Sequence, residues 1–406
     1  MPSLCKDKFA FEIETCGKNR RRIRISSMKR SILKLADHLF GPTLCAVMSA
    51  LNPKSRNNPS GALITLRQPK KILVVRPGGI GDMVLLLPCL KALSVQYPTA
   101  RIDVVCERRN FEVLKLAGIN CSFLPYDGNP ATFLYKLSIE KYDIAVDSEQ
   151  FHNFSAVFTF LSRAGIRIGF NINPRRNPLY THLVNYDLDG AEPVQFAKLL
   201  APLGINVTSS HKGMLNAASL ELSNDIAKEL HYLGNFAAIN PCGSTSYKAW
   251  QNEKYIELIT RLNRDHGLSV VLLGGDDEAA LCNSIVDTAR ISSGKVTSFA
   301  GRLSLKDSAA VMAKSQLFIG VDSGLAHLAT ALDVPSVTLF SSTNPDKWAF
   351  RDTRHVIVHN PLPCSPCAIF GYNKPCNTIT CMTSITVDSI MKVIKKIIED
   401  NEGSKT

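Results

Sequence analysis

From Lys71 onward, short wholly apolar runs alternate with longer stretches of helical periodicity. Lys71 to Val75 reads as a buried strand, a helix runs from Asp82 to Gln96 and ends before Pro98, and Arg101 to Cys106 is the next strand. Further strands are expected at Cys121 to Leu124, Asp143 to Val146 and Arg167 to Gly169, with helices around Ala131 to Leu137, Phe154 to Ser162 and Val194 to Leu200. A second set begins near Phe236. Its strands are Ala237 to Asn240, Ser269 to Leu273, Leu317 to Ile319 and Ser336 to Phe340; its helices are Glu253 to Asp265, Asp277 to Ala289 and Gly324 to Leu332. Such alternation implies parallel sheets with helices on both faces. The expected fold is α/β, with two Rossmann-like doubly wound domains facing across a cleft.

The ends are patterned differently. Met28, Ile32, Leu35 and Leu39 form a helical stripe with Lys29, Arg30 and Lys34 off it, downstream of the basic run Arg20 to Arg24, and Gly41-Pro42 is expected to stop this helix. Two readings stay open: the stripe packs on the main body, or it makes an interfacial membrane contact. Asn52 to Gly61 is a turn-rich linker whose composition cannot bury a core. At the other end, Ile390, Val393, Ile394 and Ile397 recur at helical spacing between Val387 and Ile398. The division expected is 1–69 as a basic extension and linker, 70–230 and 231–385 as the two domains, and 386–406 as a packing helix and tail.

At 406 residues the chain exceeds one ordinary core, and 45% hydrophobic with 20% charged residues is a globular composition. No apolar run reaches the roughly 18 residues that span a bilayer. Asp7, Glu12 and Glu14 argue against a secretory leader, so a cytoplasmic protein is expected, with peripheral contact at the inner membrane. A net charge of +12 points to an anionic partner. Nucleic acid is disfavoured because the basic N-terminal segment interleaves no aromatics with its basic residues.

The candidate chemistry sits at strand-to-helix turns. Arg76-Pro77-Gly78-Gly79-Ile80-Gly81-Asp82 and Gly320-Val321-Asp322-Ser323-Gly324-Leu325-Ala326-His327 each follow an apolar strand and open a helix, where unpaired N–H groups suit an anion. Asp82 reads either as a cap of its helix or as a general base. In the loop Asn240 to Trp250, Ser244 and Thr245 are candidate donors to phosphate, and Lys248 is placed to neutralise a leaving diphosphate. Ser323 and Gly324 offer further donors, His327 lies one turn along, and Asp322 is expected to brace the loop. Gly79, Gly81 and Glu107 partly match a dinucleotide fingerprint, which keeps a nicotinamide-dependent oxidoreductase in view. A non-catalytic basic binding protein is the third alternative.

These segments, with Gly274-Gly275-Asp276-Asp277-Glu278 and Phe340 to Pro345, resemble the bacterial lipopolysaccharide heptosyltransferases, glycosyltransferase family nine, over roughly residues 70–400. The resemblance implies the two-domain GT-B fold and metal-independent, inverting transfer of a heptose from ADP-heptose to a lipopolysaccharide core acceptor. It implies that Asp82 deprotonates the acceptor, that Lys248, Ser244, Ser323 and Gly324 hold the nucleotide diphosphate, and that Glu278 binds ribose. The acceptor implied is a phosphorylated glycolipid at the membrane surface. The chain departs from the family in Ser323 where Thr is frequent, Ser341-Ser342 where Gly-Pro is usual, and its long basic extension.

Cys364, Cys367, Cys376 and Cys381 lie in a Pro-rich loop, and the first pair has metal-ligand spacing. Structural zinc, packed free thiols and disulfides are all open.

Overall fold

The computed structural model describes residues 19–52, 64, 68–208, 210–293, 295–369, 372–373, 376 and 378–403. The linker after Asn52 lies outside them except for Ile64, Gln68 and Pro69.

The first sheet holds β1 (Lys71–Val75), β2 (Arg101–Cys106), β3 (Ser122–Pro125), β4 (Ile144–Asp147), β5 (Ile166–Asn171) and β6 (His182–Asn185). The second holds β7 (Phe236–Asn240), β8 (Ser269–Leu272), β9 (Val296–Ser298), β10 (Leu317–Val321), β11 (Ser336–Phe340) and β12 (His355–His359). Their orders are β3-β2-β1-β4-β5-β6 and β12-β11-β10-β7-β8-β9. Every paired register in both is parallel. Read from its own first strand, each half has the doubly wound order 3-2-1-4-5-6, so the strand order reverses between β1 and β4 and again between β7 and β10. Ligands bind at such switch points, outside the carboxyl ends of the strands.

Helices cover both faces. Around the first sheet lie α1 (Asn19–Ala50), α2 (Ile80–Gln96), α3 (Arg108–Leu116), α4 (Pro130–Ile139), α5 (Asn153–Leu161) and α6 (Glu192–Lys198). Around the second lie α7 (Asn224–Leu233), α8 (Asn252–His266), α9 (Ala279–Ser293), α10 (Leu305–Lys314), α11 (Gly324–Ala331), α12 (Pro345–Trp348), α13 (Thr380–Thr383) and α14 (Val387–Gly403). Strands such as β1 and β10 are buried on both faces, which is why they read as unbroken apolar runs. One apolar cluster joins the halves, running from Met83 and Leu87 of α2 to Leu328 and Ala329 of α11. α14 packs on the second half, with Ile390, Ile394 and Ile397 buried beside Leu339.

α1 departs from the sequence expectation at its end. Gly41-Pro42 does not stop it; Pro42 lies inside a helix that continues to Ala50. A proline there costs about 3 kcal/mol in an isolated helix, but a Cβ on Gly41 would lie 2.6 Å from the Cβ of Asn153, so the small residue permits a close seat on α5 that offsets it. Of the two readings of its stripe, packing on the main body is not what the structure shows: Ile32, Leu35 and Leu39 are exposed, while Asp37, Gly41 and Cys45 are buried against the body. The Met28 side chain lies outside the described residues. Among the described residues no helix is long and apolar enough to cross a membrane.

Candidate active site

The two halves meet at two helix beginnings. α2 opens after β1 through Gly79, whose φ of 85° is disfavoured for residues with a side chain, and a Cβ there would lie 1.8 Å from the Asp82 carboxylate. α11 opens after β10 through Ser323 and Gly324. The helices touch: a Cβ on Gly81 would lie 2.5 Å from the His327 ring, and one on Gly324 would lie 2.8 Å from the Ile80 Cβ. Glycine at both positions lets Asp82 and the α11 N-terminus share one space.

On the first side, Asp82 is half-buried and pairs with Arg76 at 2.9 Å. The Arg76 guanidinium also donates to the Ser148 carbonyl at 2.9 Å across the β1/β4 switch point, and lies over the Phe196 ring at 5.4 Å. Burial alone would lower its pKa; Asp82, Glu149 and Glu192 outweigh that and raise it. Glu149, buried beside Arg76 and His152, is held well below the usual carboxylate range by their charges despite its burial. Burial raises the pKa of Glu192, which meets Lys347 of the second half at 3.2 Å. Lys347 also donates to the Gly190 carbonyl at 3.1 Å and so clasps the two halves.

On the second side, Lys248 donates to Asp322 twice, to Oδ2 at 2.6 Å and to the backbone carbonyl at 3.1 Å. Thr343 donates to the same carboxylate at 2.6 Å, and His327 Nε2 lies 3.8 Å from its other oxygen. Burial would raise the pKa of Asp322, but Lys248, His327 and these hydrogen bonds hold it below its ordinary value. Burial lowers the pKa of His327 against the pull of Asp322 and Asp82, so its ring is neutral near pH 7. Ser323 donates to Asn240 at 3.0 Å across the β7/β10 switch point and leaves the first N–H groups of α11 uncapped by its side chain.

Ser244 is exposed, and Thr245 Oγ1 is buried with no hydrogen-bond partner among the described residues. Glu278 sits at the neighbouring strand end after β8, folded back to accept from the Gly275 N–H at 2.8 Å, and burial raises its pKa. Glu107 pairs with Arg109 at 2.5 Å instead of standing free for a ribose.

Sequence reasoning missed Glu149, Glu192, Lys347 and His211. His211 is 1% exposed, neither ring nitrogen has a hydrogen-bond partner among the described residues, and its ring lies 6.3 Å from that of His327. It comes from the connection between the halves, where no periodicity marks it. Glu149 carried a faint signal, an acid just past a strand end at a switch point.

Of the clustered cysteines, Cys364, Cys376 and Cys381 carry free thiols. Cys364 is exposed and Cys381 is buried at the start of α13; burial raises the Cys381 pKa, with Cys367, Cys376 and Cys364 close enough to add to it. Among the described residues no group of three or more His, Cys, Asp or Glu is arranged to hold a metal ion.

Two doubly wound halves that face each other, with a carboxylate on one lip and an uncapped helix N-terminus on the other, have the architecture of the GT-B fold. The heptosyltransferase WaaC of Escherichia coli, solved with ADP-2-deoxy-2-fluoro heptose, matches with a TM-score of 0.61 and 20% identity over 82% of this chain and 99% of that one. Heptosyltransferase II of the same organism matches with a TM-score of 0.62 and 21% identity over 82% and 99%. These likenesses establish the fold. The pattern of glycosyltransferase family 9 (heptosyltransferase) matches residues 132–375. Lipopolysaccharide heptosyltransferase 3 of Escherichia coli is 30% identical over 66% of this chain and 82% of its own length. The chain belongs to glycosyltransferase family 9. Membership displaces the oxidoreductase and the non-catalytic readings, and the Glu107–Arg109 pair removes the acid on which the former leaned.

Proposed function

We propose that the protein transfers a heptose from ADP-heptose, with inversion, to a phosphorylated lipopolysaccharide-core acceptor at the cytoplasmic face of the inner membrane. One observation carries the reading: the Gly81–His327 contact brings a carboxylate and a helix N-terminus from different halves into one cleft. WaaC was solved with ADP-2-deoxy-2-fluoro heptose and also with ADP, which supports an ADP-sugar donor here. The matched lipopolysaccharide heptosyltransferase 3 supports the acceptor class.

In the mechanism, Asp82 accepts the proton of an acceptor hydroxyl as its oxygen attacks the anomeric carbon. The bond from that carbon to the diphosphate oxygen breaks on the opposite face, which inverts the centre. Arg76 aims the Asp82 carboxylate through its ion pair. Negative charge grows on the leaving ADP, and the N–H groups opening α11 stabilise it. Lys248 has three N–H bonds and spends two on Asp322, which leaves one for phosphate. Thr245 supplies a hydroxyl with no hydrogen-bond partner among the described residues, Ser244 an exposed one, and Glu278 lies at the strand end suited to the ribose.

Released nucleotide measured over a panel of nucleotide sugars tests the donor, and chelator-treated enzyme is expected to stay active. Asp82→Asn should lower turnover by about 10²–10⁴ with ADP affinity little changed. Near-normal turnover in that variant would refute the base assignment.

A further inference from the structure

α1 is seated on the body by its small and polar side. The Asp37 carboxylate accepts from the Asn153 and Phe154 N–H groups at 3.1 and 2.6 Å, capping α5 from another helix, and the Cys45 thiol donates to the Asn153 carbonyl at 3.8 Å. With Gly41 pressed on Asn153, these contacts fix the rotation of α1 about its own axis. The opposite side is therefore held outward, and Ile32, Leu35, Leu39, Phe40 and Val47 on it are each more than half exposed. From Ile32 to Val47 the helix runs about 22 Å at 1.5 Å per residue. A contiguous apolar strip of that kind on a folded protein marks an interaction surface.

Charge decides between occupants. The helix sequence carries Arg20, Arg21, Arg22, Arg24, Lys29, Arg30 and Lys34 against one acid, Asp37, whose carboxylate is spent on α5. A second copy of this helix would bring two basic segments together, whereas a bilayer rich in anionic phospholipid offers both apolar depth and opposite charge. The helix is also tied to the acceptor side of the cleft. α5 begins just after Glu149, Glu149 reaches Arg76 at 4.0 Å, and Arg76 holds Asp82.

We propose that the Ile32–Val47 face of α1 lies in the interface of an anionic bilayer and presents the Asp82 side of the cleft to lipid-borne acceptor. This rests on the lipid-anchored acceptor of the proposed function. The full chain and the variant Leu35→Ser/Leu39→Ser/Phe40→Ser are sedimented with vesicles of phosphatidylglycerol and phosphatidylethanolamine, or of phosphatidylcholine alone. The expected result is binding to the anionic vesicles only, weakened by added salt and at least about tenfold weaker in the variant, with unchanged thermal stability and unchanged transfer to a deacylated, water-soluble acceptor. Failure of the unmodified chain to bind anionic vesicles overturns the proposal. Equal binding by the variant also overturns it, and so does a variant that only dissociates a dimer. Vesicle binding lost in the variant upholds the membrane face even where no heptose transfer is detected. Transfer with vesicle binding unaltered overturns the membrane face and leaves the function standing.

Discussion

At the scale of single residues, the site is a set of buried charges that are stable only in company. Lys248 and Asp322 are both largely buried, and removing one partner of such a pair costs about 3–5 kcal/mol because the other charge stays behind. Lys248→Ala is expected to lower the melting temperature and to weaken ADP binding about tenfold, the loss of one charge-assisted hydrogen bond. Calorimetry with ADP checks the second effect independently of the first. His211 is the opposite case, a buried base whose ring has no hydrogen-bond partner among the described residues. Burial, with the neighbouring His327 and His355, pushes it from 6.5 to about 3. Folded His211 is thus neutral where the unfolded side chain takes a proton. Its contribution to stability is complete above pH 6.5 and is lost as pH falls toward 3, at up to about 1.4 kcal/mol per unit. His211→Leu should match the parent at pH 8 and gain on it steadily between pH 6 and 4 in urea unfolding. A constant difference across that range would contradict this.

At the scale of elements, the helix beginnings matter more than the helices. Gly81→Ala puts a methyl group against the His327 ring, and the helices must part or the ring must turn. Overpacking of this kind costs about 1–3 kcal/mol. Because the diphosphate grip proposed above belongs to the second half, turnover is expected to fall while ADP affinity holds; equal losses in both would mean that the contact serves donor binding. Legibility in the sequence followed the same division. β1, β2, β7 and β11 were readable as apolar runs, and the glycine turns marked where α2 and α11 start. α3, α7, α10, the short strands β6 and β9, and β12, which is bounded by His355 and His359, went unread. Gly41-Pro42 misled because a helix-stopping pair was used for close packing, which only the tertiary neighbour Asn153 reveals. Arg76, Asp82, Lys248 and Ser323 stood out by position, while Glu149, Glu192, Lys347 and His211 acquire meaning only when distant segments meet.

At the scale of the whole molecule, one apolar cluster runs through both halves, and Lys347 clasps Glu192 and Gly190 across the divide. Unfolding should therefore appear as a single calorimetric transition, stabilised by about 2.7 kcal/mol when ADP is supplied at a hundredfold excess over its dissociation constant. Two resolved transitions would show that the halves melt separately. The mutual gaps at Gly81 and Gly324 carry one more consequence. Each half leaves a notch shaped for a side chain of the other, His327 in one and Ile80 in the reverse direction. A chimaera joining the front of this enzyme to the back of a distant cousin would work only where both notches and both plugs were inherited as a matched set.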